Sequence, residues 1–293
     1  MFVYTLPRHQ CEEPMLTVQS APPEPHLKPF IRAYVQREAR LGSHELVEPV
    51  VARLGVMLEF EFAGSYEVRN YGVETVEEPN SISIIGPQGW RRSRLIIRGH
   101  IESLVVMFQP FGFHALFGVP TEPLAHAGTE GHSVLGPAVS QLHQRLGNVR
   151  LFSERVKLLD AFFLHQLKTV HSKDIVHSAL HLLTTPGNSL KVAEVADQMG
   201  FNVRQLERKS LAYAGVSPKM LTRISRFSHA LSLRTERSFN WTQIAHAAGY
   251  HDQMHMIRDF REFAGEAPTS ALQGIAPEHL IHYAATNAAS NLS

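Results

Sequence analysis

The side chains that could do metal or thiol chemistry in this 293-residue sequence are 18 histidines and one cysteine, Cys11. Their spacing supports neither use. His177 and His181 stand four apart and share a helical face. His44-Glu45, however, is followed by Leu46-Val47-Glu48 and not by the second histidine of a zinc-protease motif. The first half has no His-x-His pair with a following carboxylate; His100, His114, His126 and His132 are scattered. Cys11 lies in a Pro/Glu-rich stretch with Arg8 and His9 as its basic neighbours, which predicts an ordinary thiol. There is no GxGxxG, no GxxxxGK[ST] and no GxSxG elbow. The sequence therefore predicts no metal, no cofactor and no enzyme.

Charge is the remaining signal. The net charge of +1 names no partner, but its distribution is uneven. Residues 1–150 carry 13 basic and 15 acidic side chains, and residues 151–293 carry 15 and 12. The stretch 202–237 holds eight basic residues against Glu207 and Glu236. A local basic patch of this kind suits a polyanion.

Positioning that patch requires elements. The length predicts two domains. One cysteine rules out a disulfide framework, no apolar run is long enough for a membrane span, and no secretory pattern is visible at the N-terminus, so a cytoplasmic location is expected. Thirteen of the 17 prolines and 13 of the 19 glycines precede residue 151. Breakers at that density suit short strands and loops. Leu58, Phe60 and Phe62 alternate with Glu59 and Glu61, the period of a half-buried strand. Ala63-Gly64-Ser65 reads as a turn, with Tyr66, Val68 and Asn70 on one face of a return strand. Ile82 and Ile84 alternate with Ser81 and Ser83, and 95–97 and 104–108 are two further β-like runs. Pro29 to Arg40 is expected as a surface helix. The period then changes: Val156, Leu159, Phe163 and Leu167 recur at helical spacing, as do Ile175, Ala179, Leu182 and Leu183, with a stop at Thr185-Pro186-Gly187-Asn188. The fold class expected is α+β: a β-rich, cupin-like barrel over 1–150, a helical linker over 151–172, an all-α domain over 173–273 and a tail over 274–293.

A repeat carries the main signal. AEVADQMGFNVRQLERKSLAYAGVSP (193–218) resembles TQIAHAAGYHDQMHMIRDFREFAGEAP (242–268). Each places an alanine four residues before a glycine that precedes an aromatic: Ala196, Gly200, Phe201 and Ala245, Gly249, Tyr250. Each ends in Ala-Gly-x-x-Pro, and the second copy has one extra residue near its turn. This is the pattern of two helix-turn-helix units. The alanine lets the helices cross, the glycine takes positive φ, Asn202 or Asp252 caps the second helix, and Leu206 or Met256 points inward.

The segment from about Asp174 to Leu272 resembles the DNA-binding domain of AraC/XylS-type transcriptional regulators, most specifically in GYHDQMHMIRDFREFAGEAP. VMFQPFGFHALFGVP resembles, more loosely, a stretch of the β-rich N-terminal domain of one branch. The resemblance implies two helix-turn-helix units joined by a long helix, about Ser217 to Glu236, that bind promoter DNA. It implies base contacts from Arg204, Glu207 and Arg208 on the first reading helix, and from Gln253, Met254, His255 and Arg258 on the second. Lys209, Lys219, Arg223, Arg226 and Arg261 are the expected phosphate contacts, which position without specifying. Ser210 departs from the family's phenylalanine, Phe260 in the other unit, and predicts a looser first unit. Met254 departs from a small polar residue. The N-terminal domain would sense a small-molecule effector or form a homodimer, and RNA polymerase is a further expected partner; no membrane is. The alternative is a cupin-like metal-binding or enzymatic domain fused to a helical DNA-binding module.

Overall fold

The computed structural model describes residues 2–5, 15–70, 76–77, 79–89, 93–167, 175–185, 190–236 and 239–274. Cys11, the stop at Pro186 to Asn188 and the tail beyond Gly274 lie outside them. The described strands are β1 (Phe2–Thr5), β2 (Met15–Ala21), β3 (Ile31–Val50), β4 (Met57–Ala63), β5 (Tyr66–Asn70), β6 (Val76–Glu77), β7 (Ile82–Ile85), β8 (Ser93–Phe108) and β9 (Gly128–Glu130). They form one antiparallel sheet in the order β1-β2-β3-β8-β4-β7-β9, with β5 pairing β6 and β8.

Two long strands, β3 and β8, organise this sheet. The two β-like runs expected at 95–97 and 104–108 are one strand, β8, continuous through Gly99 at φ +66°. One edge of β8 pairs β3; along the other, β4 takes 102–107 and β5 takes 93–97. The return strand expected after Ala63-Gly64-Ser65 is corrected: β4 and β5 both run antiparallel to β8, so the chain at Gly64 carries on along the same edge of β8 without reversing, and no β4–β5 hairpin forms.

The helix expected over Pro29 to Arg40 is corrected: the segment is the start of β3. Its alternation is hidden because both faces are buried. Tyr34 packs with Phe108 and Phe163 on one side, and Val35 packs with Met57 and Met107 on the other. Polar residues are enclosed as well, with Gln36 and Arg37 each 8% exposed. A strand covered on both faces loses the period-2 signal on which its recognition depends.

Helices cover one face of the sheet. They are α1 (Gly112–Phe117), α2 (Gly131–Leu135), α3 (Pro137–Gly147) and α4 (Phe152–Leu167). Val139, Leu142 and Leu146 of α3 and Leu159 and Phe163 of α4 join Leu58, Phe60, Ile84 and Val106 in one core. α4, read from its spacing as a linker, is thereby packed on the sheet. Tyr34 donates to Asp160 at 2.9 Å, and Arg155, 3% exposed, pairs with Glu102 at 2.6 Å.

The opposite face of the sheet lines a cavity of about 140 Å³. Val35 and Arg37 of β3, Met57 and Glu59 of β4, and Val105 and Met107 of β8 all face it. Glu59 is thus enclosed, 6% exposed, where strand alternation alone places it toward water. Burial raises its carboxyl above the usual carboxylate range, against hydrogen bonds from Tyr66 and Ser103 and the charges of Arg37 and Arg53.

Two residues along β4, Glu61 is pushed up to about 8 by burial and by Glu59, from an ordinary 4.5. The folded chain binds this proton more tightly than the unfolded chain does. Stability is therefore complete below about pH 4.5 and declines as pH rises toward 8. Glu61→Gln should melt above the wild-type protein at pH 9, and the gap should close by pH 4. Melting curves across that range check it; a constant gap would show that Glu61 titrates normally.

Candidate nucleic-acid interface

The second half folds as the repeat predicts. Its helices are α5 (Ile175–Thr184), α6 (Val192–Gln198), α7 (Val203–Ala214), α8 (Pro218–Glu236), α9 (Trp241–Ala247), α10 (Gln253–Phe263) and α11 (Pro268–Gly274). α6 and α7 form one helix-turn-helix, α9 and α10 the other, and α8 joins them. Its residues Leu221, Ile224, Phe227 and Leu231 are fully buried between the units.

Each turn is built the same way. Gly200 and Gly249 have φ of +71° and +80°. The aromatic that follows returns its N–H to the crossing alanine: Phe201 to Ala196 at 2.8 Å and Tyr250 to Ala245 at 2.9 Å. The side chain of Asn202 accepts from the Gln205 N–H, and that of Asp252 from the His255 N–H. The extra residue of the second copy falls between the glycine and this cap. Leu206 and Met256 point inward with no exposed surface.

These caps and cores leave definite faces outside. On α7, Arg204, Glu207 and Arg208 are exposed. Gln205, on the same face, is occupied: its side chain accepts from the Asn202 N–H at 2.9 Å and completes the cap. On α10, Gln253, Met254 and Arg258 are exposed, and Met254 presents 58% of its apolar surface to solvent. His255 is half-buried, edge-on to the Tyr250 ring at 5.4 Å. The seven expected base readers thus fall on two helices, one per unit.

The expected phosphate contacts divide. Lys219 and Arg261 are exposed. Lys209 lies over the Phe201 ring at 5.4 Å. Arg226 lies over the Tyr250 ring at 5.2 Å and reaches the Gly249 carbonyl at 3.5 Å, so it braces the second turn. Arg223 is committed elsewhere. Its guanidinium holds Asp259 at 2.7 Å and Glu262 at 2.5 Å, both on α10, and these partners raise its pKa further. In the structure Arg223 acts as a clamp between α8 and α10.

Ser210 is likewise settled. It is fully buried and donates to the Val216 carbonyl at 2.7 Å. The position is an inward one, as expected, and its hydroxyl makes a buried polar tie there.

The helical domain rests on the β domain at the ends of both reading helices. Ala52 donates its N–H to the carbonyl of Phe263, the last residue of α10, at 2.8 Å. Thr121 donates its N–H and its hydroxyl to the carbonyl of Ala212, near the end of α7, at 2.8 and 3.1 Å. Val51, Ala52, Leu54 and Phe111 belong to the same buried cluster as Leu206 and Phe263. Neither these contacts nor the cavity was visible in the sequence. The cavity's Arg37 lay in the supposed helix, and its Glu59 lay on the supposed wet face of β4. Among the described residues no three His, Cys, Asp or Glu side chains gather to hold a metal, and no helix is long and apolar enough to cross a membrane.

The geometry defines a double helix-turn-helix protein with an N-terminal antiparallel β domain. Comparison sharpens this. The pattern of a helix-turn-helix domain matches residues 195–274, and that of a domain of unknown function (DUF6597) matches residues 19–130. The chain carries a helix-turn-helix domain in its C-terminal half. ToxT from Vibrio cholerae, in a 1.65 Å structure, shares the fold at a TM-score of 0.50 and 15% identity, over 83% of this chain and 99% of that one. ToxT from Vibrio cholerae O395 follows at 0.48 and 15%, over 85% and 99%. The AraC-like transcriptional activator CuxR scores 0.31 at 10% identity, over 91% of each chain. No curated protein sequence matches.

Proposed function

We propose that this protein is a sequence-specific transcriptional regulator that reads promoter DNA with α7 and α10 and is controlled through its N-terminal domain. It works in the cytoplasm, as a homodimer, on RNA polymerase at the promoter, and catalyses no reaction. The observation that carries the reading is the pair of capped helices, each turned by a left-handed glycine, with polar faces left uncovered. α8 has 19 residues, so it is about 28 Å long at about 1.5 Å per residue, close to one DNA turn of about 34 Å. The two units can then enter successive major grooves. Arg204, Glu207 and Arg208 read one block, and Gln253, Met254, His255 and Arg258 read the other. Lys209, Lys219, Arg226 and Arg261 hold phosphates. Residues 173–273 are the DNA-binding domain and residues 1–150 the controlling one.

Selection from random duplexes should yield two short blocks about 10 base pairs apart. A single uninterrupted block would contradict reading by both units. Within the selected site, Arg258→Ala should cost about 1–3 kcal/mol and relax preference at one or two positions. Arg261→Ala should weaken all sequences alike and lower the salt slope by about one. Titrations at several salt concentrations separate the two effects. Equal losses on specific and scrambled DNA for Arg258→Ala would remove it from the readers.

A further inference from the structure

Resting on the regulator reading above, we propose that Thr242 is a positioning residue for base recognition: it holds the amide oxygen of Gln253 back against α9, so that Gln253 meets DNA as a hydrogen-bond donor and selects guanine over adenine. The Thr242 hydroxyl donates to Gln253 Oε1 at 3.1 Å. The bond joins the first turn of α9 to the first residue of α10, across the turn at Gly249. Both residues are exposed, so the tie lies on the surface that the second unit offers to DNA. Neither end is needed for a cap. At the start of α9, Asn240 accepts from the Gln243 N–H at 2.9 Å, and Gln243 accepts in return from the Asn240 N–H at 3.0 Å. At the start of α10, Asp252 accepts from the His255 N–H at 2.7 Å and meets His251 at 3.1 Å.

The repeat shows that the pair belongs to the second unit alone. Ala193 stands before the crossing Ala196 as Thr242 stands before Ala245, and Val203 follows the cap Asn202 as Gln253 follows Asp252. Ala193 and Val203 are themselves exposed, so neither packing nor capping demands a polar residue at either place. The second unit carries polar residues at both, and they bond each other. The consequence for reading follows from the shape of the amide. Its oxygen accepts, its nitrogen carries two donor hydrogens, and the two sit on opposite branches of one plane. Adenine is read bidentately by using both branches at once, the oxygen accepting from N6 and the nitrogen donating to N7. Guanine instead presents two acceptors in the major groove, N7 and O6. With Oε1 held by Thr242, Nε2 is the branch left to reach a base edge, and guanine satisfies it. Pairing with adenine requires the oxygen to leave Thr242 and turn into the groove. The first residues of a reading helix are the ones that touch base edges, which is where Gln253 stands.

The test uses the full chain and the duplex selected from random DNA, with all four bases placed in turn at each position. Gln253→Ala should relax the preference at one position and so locate the base that Gln253 reads. There the wild-type protein should favour guanine over adenine by about fivefold or more. Thr242→Val, which removes the hydroxyl and keeps the shape, should lower that ratio by at least about fivefold in favour of adenine. Thr242→Ala repeats the removal with the residue type that the first unit carries at Ala193, and guards against a disturbance of α9 by the branched side chain. Thr242→Ser keeps the hydroxyl and should keep the guanine preference. Preferences read by α7 and the salt slope should not move in any Thr242 variant. A wild-type preference for adenine or cytosine at the located position, or no position relaxed by Gln253→Ala, would overturn the proposal. So would a guanine-to-adenine ratio that survives both removals, or the same shift in Thr242→Ser. A uniform loss over all positions would make Thr242 a structural or phosphate-contacting residue and overturn it as well. In each of these cases salt-sensitive, sequence-selective binding by the wild-type chain leaves the regulator reading standing, whereas its absence would remove that reading separately.

Discussion

Replacing Arg223 by methionine is expected to destabilise the helical domain by about 3–5 kcal/mol, because it leaves a buried carboxylate without its counter-charge. Asp259 is 1% exposed, and Arg223 reaches it from α8 across the interface with α10. Methionine preserves most of the stem that packs against the Phe263 ring, whose centroid lies 4.9 Å from the guanidinium carbon. The loss should therefore report the charge and not the volume. The double variant Arg223→Met, Asp259→Leu removes both charges and should recover most of the stability, since replacing a buried pair by apolar groups is often close to neutral. Denaturant titration of the wild-type protein, the single variants Arg223→Met and Asp259→Leu, and the double variant closes the cycle. Additive losses would show that Arg223 and Asp259 act independently. An effect confined to DNA affinity, with stability unchanged, would instead restore Arg223 to the phosphate contacts.

Ser210→Phe is expected to cost about 2–4 kcal/mol, the sum of overpacking a closed site and leaving the Val216 carbonyl without its donor. The equivalent position in the other unit, Phe260, packs edge-on against Phe227 at 4.9 Å and Trp241 at 5.8 Å. Ser210 has a fully buried hydroxyl in its place, bonded to the chain just beyond the left-handed Gly215. The two units thus close their cores by different means, one by aromatic contact and the other by a buried hydrogen bond. Thermal melting decides the sign. A rise in melting temperature would mean that the first unit does contain unfilled volume, and that its seating against Thr121 leaves room for a ring.

The double helix-turn-helix was legible because its constraints are local. A left-handed glycine, a cap two or three residues later and an inward residue four beyond the cap are set by the backbone of one short segment. They leave the same mark wherever that segment packs. The β domain was legible in part. β4 and β7 showed their alternation, but β3 did not, because helices cover one of its faces and the cavity wall the other. With no wet face, even the polar Arg32, Gln36 and Arg37 of this strand are buried.

Chain order and residue type settled on their own that this protein has two dissimilar halves, that the second holds two helix-turn-helix units on a 19-residue connector, and which side chains their second helices turn outward. Folding in three dimensions settled what meets across long sequence separations. Arg223 meets Asp259, Glu59 faces a cavity, and the N–H groups of Ala52 and Thr121 bond carbonyls in the last turns of α10 and α7. The physical reason is range. Periodicity and capping act within one or two turns of chain, whereas charge pairing, burial and the seating of one domain on another depend on which surfaces close together, and a single segment carries no record of its partner.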